Sequence, residues 1–259
     1  MIGDVVGSSG RQAVERELSG LRNRYAPDCV IINGENAAGG FGITPEIADR
    51  FFAMGADVIT LGNHSWNKRE IYQYIDREPR LLRPANFAPG APGSGWGIFN
   101  INGVKLCVMS LQGRALMEPL DCPFRTADHI LKEVAAETSI IVVDFHAETT
   151  SEKRAFGFYV DGRVSAVIGT HTHVQTADAQ ILSKGTAFLT DVGMTGPKDS
   201  VIGMKVEAVV PKFVTQMPSR FEVSENEAQL CAVLLDIDAF TGRAVDIKRI
   251  QRPKLDNSD

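Results

Sequence analysis

The run Ser139-Ile140-Ile141-Val142-Val143-Asp144-Phe145, followed at once by His146, decides the fold class. A strand with one wet face alternates apolar and polar residues, whereas a run that is apolar throughout is a strand covered on both faces, the habit of parallel sheets packed between other layers. Asp28 to Asn33 (DCVIIN), Asp57 to Leu61 (DVITL) and Val164 to Ile168 (VSAVI) repeat the pattern. Around them, Arg11 to Tyr25, Pro45 to Met54, Lys68 to Ile75 and Thr126 to Ala136 carry apolar residues at helical spacing. Trp96 to Ile101 and Val104 to Leu111 flank Asn102-Gly103, a hairpin signal. Thr186 to Thr190, Gln229 to Ile237 and Ala244 to Ile250 read as further strands, the last two joined by a turn at Phe240-Thr241-Gly242-Arg243. The expected class is α/β with added antiparallel strands. One domain is expected over 1–259, with a loop from Pro84 to Gly95 and a long excursion from Gly193 to Arg220 that is a candidate lid with one helix. Only Met1 to Gly3 precede Asp4, so the first strand is expected to be a stub or a strand cut short.

Composition excludes several function classes. The chain has 259 residues, 44% hydrophobic and 23% charged, the make-up of an ordinary globular protein rather than a disordered or fibrous one. No apolar run approaches the roughly 18 residues of a membrane span. The net charge is -5 and no basic tract stands out, which argues against long nucleic acid as a partner. Four cysteines without a CxxC pair form neither a disulfide framework nor a thiolate zinc site. Cys29, Cys107 and Cys231 lie in β-rich runs and are expected to be buried and reduced; Cys122, before Pro123, is the one expected near the surface. No basic stretch followed by an apolar one opens the chain, so a cytoplasmic location is expected. A homo-oligomer is left open.

The chemistry follows the strands. Asp4 ends the first short run; Glu35 and Asn36 follow CVIIN; Asn63 and His64 follow DVITLG; His146 follows IIVVDF; His171 and His173 follow AVIG. Ligands of open α/β sheets bind beyond the carboxyl ends of strands, so these scattered residues are expected to meet at one edge. Four of the five histidines fall at such sites, and His129, inside a helical stretch, reads as a surface residue. Taken singly each signal is weak. Asp4 reads as a turn or cap residue, Asn33-Gly34-Glu35-Asn36 as a plain turn and His146 as a structural histidine, while Gly7-Ser8-Ser9-Gly10 lacks the features of a P-loop or dinucleotide turn and reads as a helix start. His171-x-His173 is stronger, since two imidazoles leaving one strand end can reach a metal pair. Nitrogen and carboxylate ligands without cysteine suit iron, manganese or zinc, whereas calcium and magnesium prefer oxygen cages.

The order Asp, Glu, Asn-His, His, His-x-His resembles that of the calcineurin-like metallophosphoesterases. The likeness is greatest to their YmdB-like branch, through Gly3-Asp-Val-Val-Gly7, Asn33-Gly-Glu-Asn-Ala37, Gly62-Asn-His-Ser-Trp66, Asp144-Phe-His-Ala-Glu148 and Gly169-Thr-His-Thr-His-Val-Gln-Thr-Ala-Asp178. It covers nearly the whole chain. What it implies is a four-layer α/β/β/α sandwich with two divalent metal ions, iron or manganese before zinc, at one sheet edge. By position, Asp4, Glu35, Asn36 and His173 are implied as ligands of one ion and Glu35, Asn63, His146 and His171 as ligands of the other, with Glu35 bridging. Val6 stands where a histidine follows the first aspartate in the wider superfamily, Glu35 where a bridging aspartate is usual, and Ser65 where an acidic residue follows the motif histidine. The first two departures are shared by the YmdB-like branch; the third leaves the partner of His64 unassigned.

The implied chemistry is phosphodiester hydrolysis on a small cyclic nucleotide, 2',3'- or 3',5'-cyclic. Two divalent ions attract a phosphate to an acidic chain and acidify a bridging water, giving hydroxide for in-line attack. His64 is the expected general acid for the leaving alkoxide. Asp144 and Glu148 are candidates to orient a ligand imidazole, with helix-start or surface roles equally open. A phosphomonoester or an RNA end as substrate, or a metal-binding regulator with weak catalysis, are the alternatives. A TIM barrel is disfavoured by the hairpin and by the late position of His171 and His173.

Overall fold

The computed structural model describes residues 1–253, so the last six residues of the expected 1–259 span lie outside it. Two sheets carry the molecule. In the first, β1 (Ile31–Asn33), β2 (Val58–Thr60) and β3 (Leu81–Leu82) pair in parallel. Ile2 bridges Ile32 on one side and Ala232 on the other, joining β1 to the antiparallel pair β11 (Ala228–Ile237) and β12 (Ala244–Arg252). The short first strand is thus a pair of isolated bridges, anchored by Ile2 N–H to Ile31 C=O at 2.8 Å and Gly3 N–H to Cys231 C=O at 3.0 Å.

The second sheet runs β4 (Trp96–Ile101), β5 (Val104–Gln112), β6 (Ile140–His146), β7 (Ala166–Thr170), β9 (Ala187–Leu189), β8 (Gln180–Ile181), with β5, β6, β7 and β9 parallel. The β4–β5 hairpin turns at Asn102 and Gly103, with φ of 52° and 89°, the two positive values a two-residue type I′ turn demands. The short β10 (Gly196–Pro197) pairs with β11.

Buried apolar residues divide into three cores. Ile32, Ile59 and Leu81 pack with Val14 and Leu18 of α1 (Gly7–Tyr25) and Phe51 of α2 (Pro45–Ala53). Ile141, Val143 and Phe145 pack with Ile130 of α4 (Pro123–Val134) and Phe156 of α5 (Thr150–Tyr159). Between the sheets, Ile31 and Val58 meet Ile140 and Val142. The period of two along β6 therefore sends its odd residues towards helices and its even ones towards the first sheet, which is why the run is apolar throughout. The same period places Asp144 and His146 on the inner side. The architecture is mixed α/β.

Element boundaries differ from expectation where capping decides. α1 begins at Gly7 rather than Arg11, and Gly7-Ser-Ser-Gly10 is its first turn. It ends at Ala26, φ 43°, whose N–H closes on Arg22 C=O at 2.8 Å before Pro27. Lys68 to Ile75 shrinks to α3 (Ile71–Tyr74), because the residues before it are wound into successive turns. α5 was not legible in apolar spacing, since the residues it buries are Lys153, Phe156 and Gly157. Its start is marked by Thr149, whose hydroxyl accepts the Glu152 N–H at 3.3 Å. The excursion after Gly193 contains β10 and α6 (Val206–Thr215).

All four cysteines are free: Cys107 and Cys231 are buried, while Cys29, expected buried, and Cys122 are half-buried. His129 is exposed as expected and faces Glu133 one turn on. Among the described residues no helix is long and apolar enough to cross a membrane.

Candidate metal centre

The loops leaving the parallel strands of both sheets bring the strand-end residues together. His146 ends β6 with its ring wholly buried. Its Nε2 lies 2.9 Å from Glu35 Oε1, 2.9 Å from Asn63 Oδ1 and 3.0 Å from His171 Nδ1. One ring nitrogen cannot donate to three acceptors at once. Glu35, His146 and His171 offer ligand atoms that all lie within 4.8 Å of one another.

The second nitrogen of each inward histidine is held by an acceptor. The Thr170 hydroxyl donates to Asp144 Oδ1 at 2.6 Å and so accepts from His146 Nδ1 at 2.9 Å. His171 Nε2 is 3.1 Å from Glu148 Oε2, and His173 Nδ1 donates to Ile202 C=O at 2.8 Å. Each imidazole, when neutral, has its other nitrogen and a lone pair facing inward, the arrangement by which partners behind the ligands fix the tautomer of metal-binding histidines. Asp4 adds a buried carboxylate whose Oδ1 has no hydrogen-bond partner. It stands 4.0 Å from His173 Nε2, while its Oδ2 accepts the His171 N–H at 3.2 Å. A concentration of inward lone pairs with an orphaned carboxylate oxygen fits divalent cations.

The two expected ligand sets differ in tightness. Glu35, Asn63, His146 and His171 converge directly. In the other set, Asn36 turns its amide nitrogen to Glu35 Oε1 at 3.4 Å and to His173 Nε2 at 3.1 Å, so coordination by its oxygen requires a flip of the amide. Gly62 is needed because a Cβ there would lie 2.3 Å from His146 Cδ2 and 2.4 Å from Glu35 Oε2.

His64 stands beside this cluster. Its N–H donates to Glu35 Oε2 at 3.1 Å, and its Nδ1 lies 3.2 Å from Asn67 Oδ1. Asn67 is thus the partner that the sequence left unassigned. Ser65, in place of an acidic residue, donates to Gly62 C=O at 2.6 Å and closes the turn. Asp144 is no helix-start residue; it is fully buried in β6, where Thr60 and Asn33 also donate to it at 2.5 and 3.0 Å.

Sequence reading missed Asp191 and Lys153. Asp191 follows β9 just as the other site residues follow their strands, and this was the signal available. Lys153 Nζ donates to it at 2.7 Å with both side chains buried. Asp191 also accepts from Thr172 N–H at 3.0 Å, from the Thr172 hydroxyl at 2.8 Å and from Gly193 N–H at 2.8 Å. Thr172 sits between His171 and His173, whose φ values of 99° and 66° are costly for residues with a side chain. The buried ion pair holds this turn. Gln112, beside His146 in register on β5, is buried with both amide atoms unpartnered.

Charge follows from burial. Burial works against ionised Glu35, yet His146 and His64 hold its carboxyl down at about 2. Burial works against protonated His146, yet Glu35 with Asp4 and Asp144 lifts it to about 9. Burial and the His146 charge depress His171 to about 3, while burial raises Asp4 to about 6 against His173 and His146. Without metal, a proton on His146 thus supplies the positive charge the cluster requires.

That pair sets a pH dependence. The depressed Glu35 carboxyl contributes stability above its ordinary 4.5, lost as pH falls through about 2; the raised His146 contributes in full below 6.5 and loses it as pH rises through about 9. Urea unfolding of metal-free protein should therefore show the deficit of Glu35→Gln greatest between pH 4.5 and 6.5 and shrinking towards pH 9. A deficit constant up to pH 9 would refute the pairing. Asp191→Asn strands a buried ammonium and should cost about 3–5 kcal/mol in the same assay. Adding Lys153→Met should restore part of this loss, and equal stability of the single and double variants would show that the pair is not coupled.

A family model for YmdB-like proteins matches residues 1–250. The 2',3'-cyclic-nucleotide 2'-phosphodiesterase of Bacillus subtilis (strain 168) is 53% identical over 249 residues, covering 96% of this chain and 94% of that protein. A solved phosphatase from Mycoplasma pneumoniae superposes with a TM-score of 0.92 at 35% identity, over 96% of this chain and 91% of its own. A hypothetical protein from Thermus thermophilus superposes with a TM-score of 0.90 at 42% identity, over 96% of both chains. With the inward histidines and strand-end carboxylates in place along the matched length, the chain belongs to the YmdB-like family.

Proposed function

We propose that the chain is a dimetal phosphodiesterase that hydrolyses small cyclic nucleotides, 2',3'-cyclic, 3',5'-cyclic or both. The observation that carries this reading is the inward set of lone pairs around Glu35, each imidazole braced from behind by Thr170, Glu148 or Ile202. Asp4, Glu35, Asn36 and His173 would hold one divalent ion and Glu35, Asn63, His146 and His171 the other, with Glu35 shared. The nitrogen and oxygen donors suit iron or manganese, and zinc next. When bound, such ions supply positive charge for the phosphate and a nucleophile from water near neutral pH. The name of the Bacillus subtilis relative supports the substrate class.

The chain's own residues supply the rest. With Asn67 Oδ1 accepting the Nδ1–H, a His64 ring protonated on both nitrogens would carry its transferable proton on Nε2, the nitrogen that lies 3.3 Å from Asn63 Nδ2. His64 is half-exposed at the rim, where a departing sugar alkoxide can take that proton. Thr170 and Asp144 keep His146 in the tautomer whose Nε2 faces the site. Lys153 and Asp191 hold the turn carrying His171 and His173.

Metal-loaded protein should contain two ions per chain by elemental analysis, and Glu35→Ala should lose metal and activity together. Retention of both ions with near-normal turnover would refute the assignment. His64→Ala should keep both ions while turnover of a cyclic nucleotide falls roughly 10²- to 10⁴-fold, with a much smaller loss on a nitrophenyl phosphoester whose leaving group needs no proton. Equal losses on both would show that His64 positions phosphate instead, and loss of the ions would make it a ligand. Faster turnover of a phosphomonoester or an RNA end than of any cyclic nucleotide would replace the substrate.

A further inference from the structure

We propose that the hollow between the Gly39–Gly42 loop and the segment from Arg220 to Glu225 is a nucleobase subsite, with Phe41 as its stacking surface. The proposal rests on the phosphodiesterase reading and extends it to the part of the substrate that does not react.

The loop begins three residues after Asn36. Gly40 N–H donates to Asn36 C=O at 3.1 Å and Ala38 N–H to Gly42 C=O at 2.9 Å, so the loop folds back over that residue. Gly40 has φ of 90°, and a Cβ there would come within 2.7 Å of Val223. Only glycine lets the loop lie against the far wall. The consequence is that Phe41 is pushed outward, 38% exposed and in none of the three cores.

One edge of Phe41 meets His64, with ring centroids 5.0 Å apart and planes at 80°. The same residue lines a cavity of about 330 Å³ with Gly7, Arg220, Phe221 and Glu222. That volume lies near the lower end of the roughly 300–1,000 Å³ of small-molecule sites. An exposed aromatic ring that touches the proposed acid and lines a hollow is placed to hold a group covalently attached to the reacting phosphate.

Charge narrows what that group is. Arg220 is the one basic residue of the lining, opposed by Glu222 and Glu225, and Glu222 is itself paired with Lys205 at 2.8 Å. There is no surplus of positive charge for a second phosphate, which disfavours an oligonucleotide or a nucleoside polyphosphate. A flat, neutral ring with hydrogen-bonding edges fits. Base–aromatic stacking tolerates any base because every base has a π-face, so discrimination between purine and pyrimidine is expected to be weak.

The test compares 2',3'-cyclic AMP with methyl riboside 2',3'-cyclic phosphate, which lacks the base, on metal-loaded protein. Phe41→Ala should raise KM for the nucleotide roughly 5- to 150-fold, the range for removing one base–aromatic stack. The rise for the base-free ester should be several-fold smaller, and Phe41→Trp should restore the nucleotide KM. Equal rises on both substrates would overturn the subsite and leave Phe41 acting only through His64. Adenosine 3'-monophosphate should also quench the indole introduced by Phe41→Trp, and absence of quenching at saturation overturns the proposal. If the parent chain turns over neither ester, the phosphodiesterase reading falls by itself. The quenching experiment then decides the subsite alone, for or against.

Discussion

A buried carboxylate that must keep its charge is the constraint on which this molecule is built. Glu35 lies at the junction of the two sheets with 1% of its surface exposed, and an ionised acid withdrawn from water requires a compensating cation or hydrogen bonds. Without metal the compensation is a proton on His146; a bound divalent cation would supply the same positive charge in its place. Both solutions require other groups to approach within about 3 Å, and the remaining site residues can be understood as making that approach feasible. Gly62 is without a side chain because the space is filled by Glu35 and His146. Thr170, Glu148 and the Ile202 carbonyl each take the outer N–H of an imidazole, so that no ring can rotate its lone pair away.

The sheets deliver these groups because parallel strands end together. β1 and β2 of the first sheet and β6 and β7 of the second all stop at the same edge, and the loops that follow carry the polar residues. Below that edge the inter-sheet space is aliphatic, with Ile31, Val58, Ile140 and Val142 in contact. A second cavity, of about 630 Å³, lies at the opposite edge, lined mainly by aliphatic side chains such as Leu18, Val142 and Leu235. It contains none of the inward histidines, and its size is no guide to where the chemistry sits.

Two of the non-glycine residues with positive φ are the histidines themselves. Left-handed backbone at His171 and His173 persists only if the surroundings over-determine it. The surroundings here are Asp191, gripping Thr172 by backbone and side chain, and Lys153, which neutralises Asp191 in the absence of water. A buried ion pair is a poor source of net stability when weighed against well-packed apolar side chains. Its use here is to hold a turn in one unfavourable shape, a task that apolar packing, being non-directional, does badly.

Local sequence determined a good deal by itself. Runs apolar on both faces announced buried parallel strands, Asn102-Gly103 announced the hairpin, and the polar residues after each run announced one edge, because the period of a strand and the φ of a turn are local properties. The resemblance in motif order then implied a ligand set that spacing alone could not. What remained hidden was settled only by tertiary structure. That Asp144 reaches His146 through Thr170, and that Lys153 of α5 neutralises Asp191 after β9, are contacts between groups whose separation in sequence bears no relation to their separation in space. α5 itself escaped notice because it buries a lysine and a glycine beside its phenylalanine, and a stripe with a charge in it has no apolar period to detect. Residues that bind by periodicity are visible in the chain; residues that bind by pairing become visible only when the partner arrives from another layer.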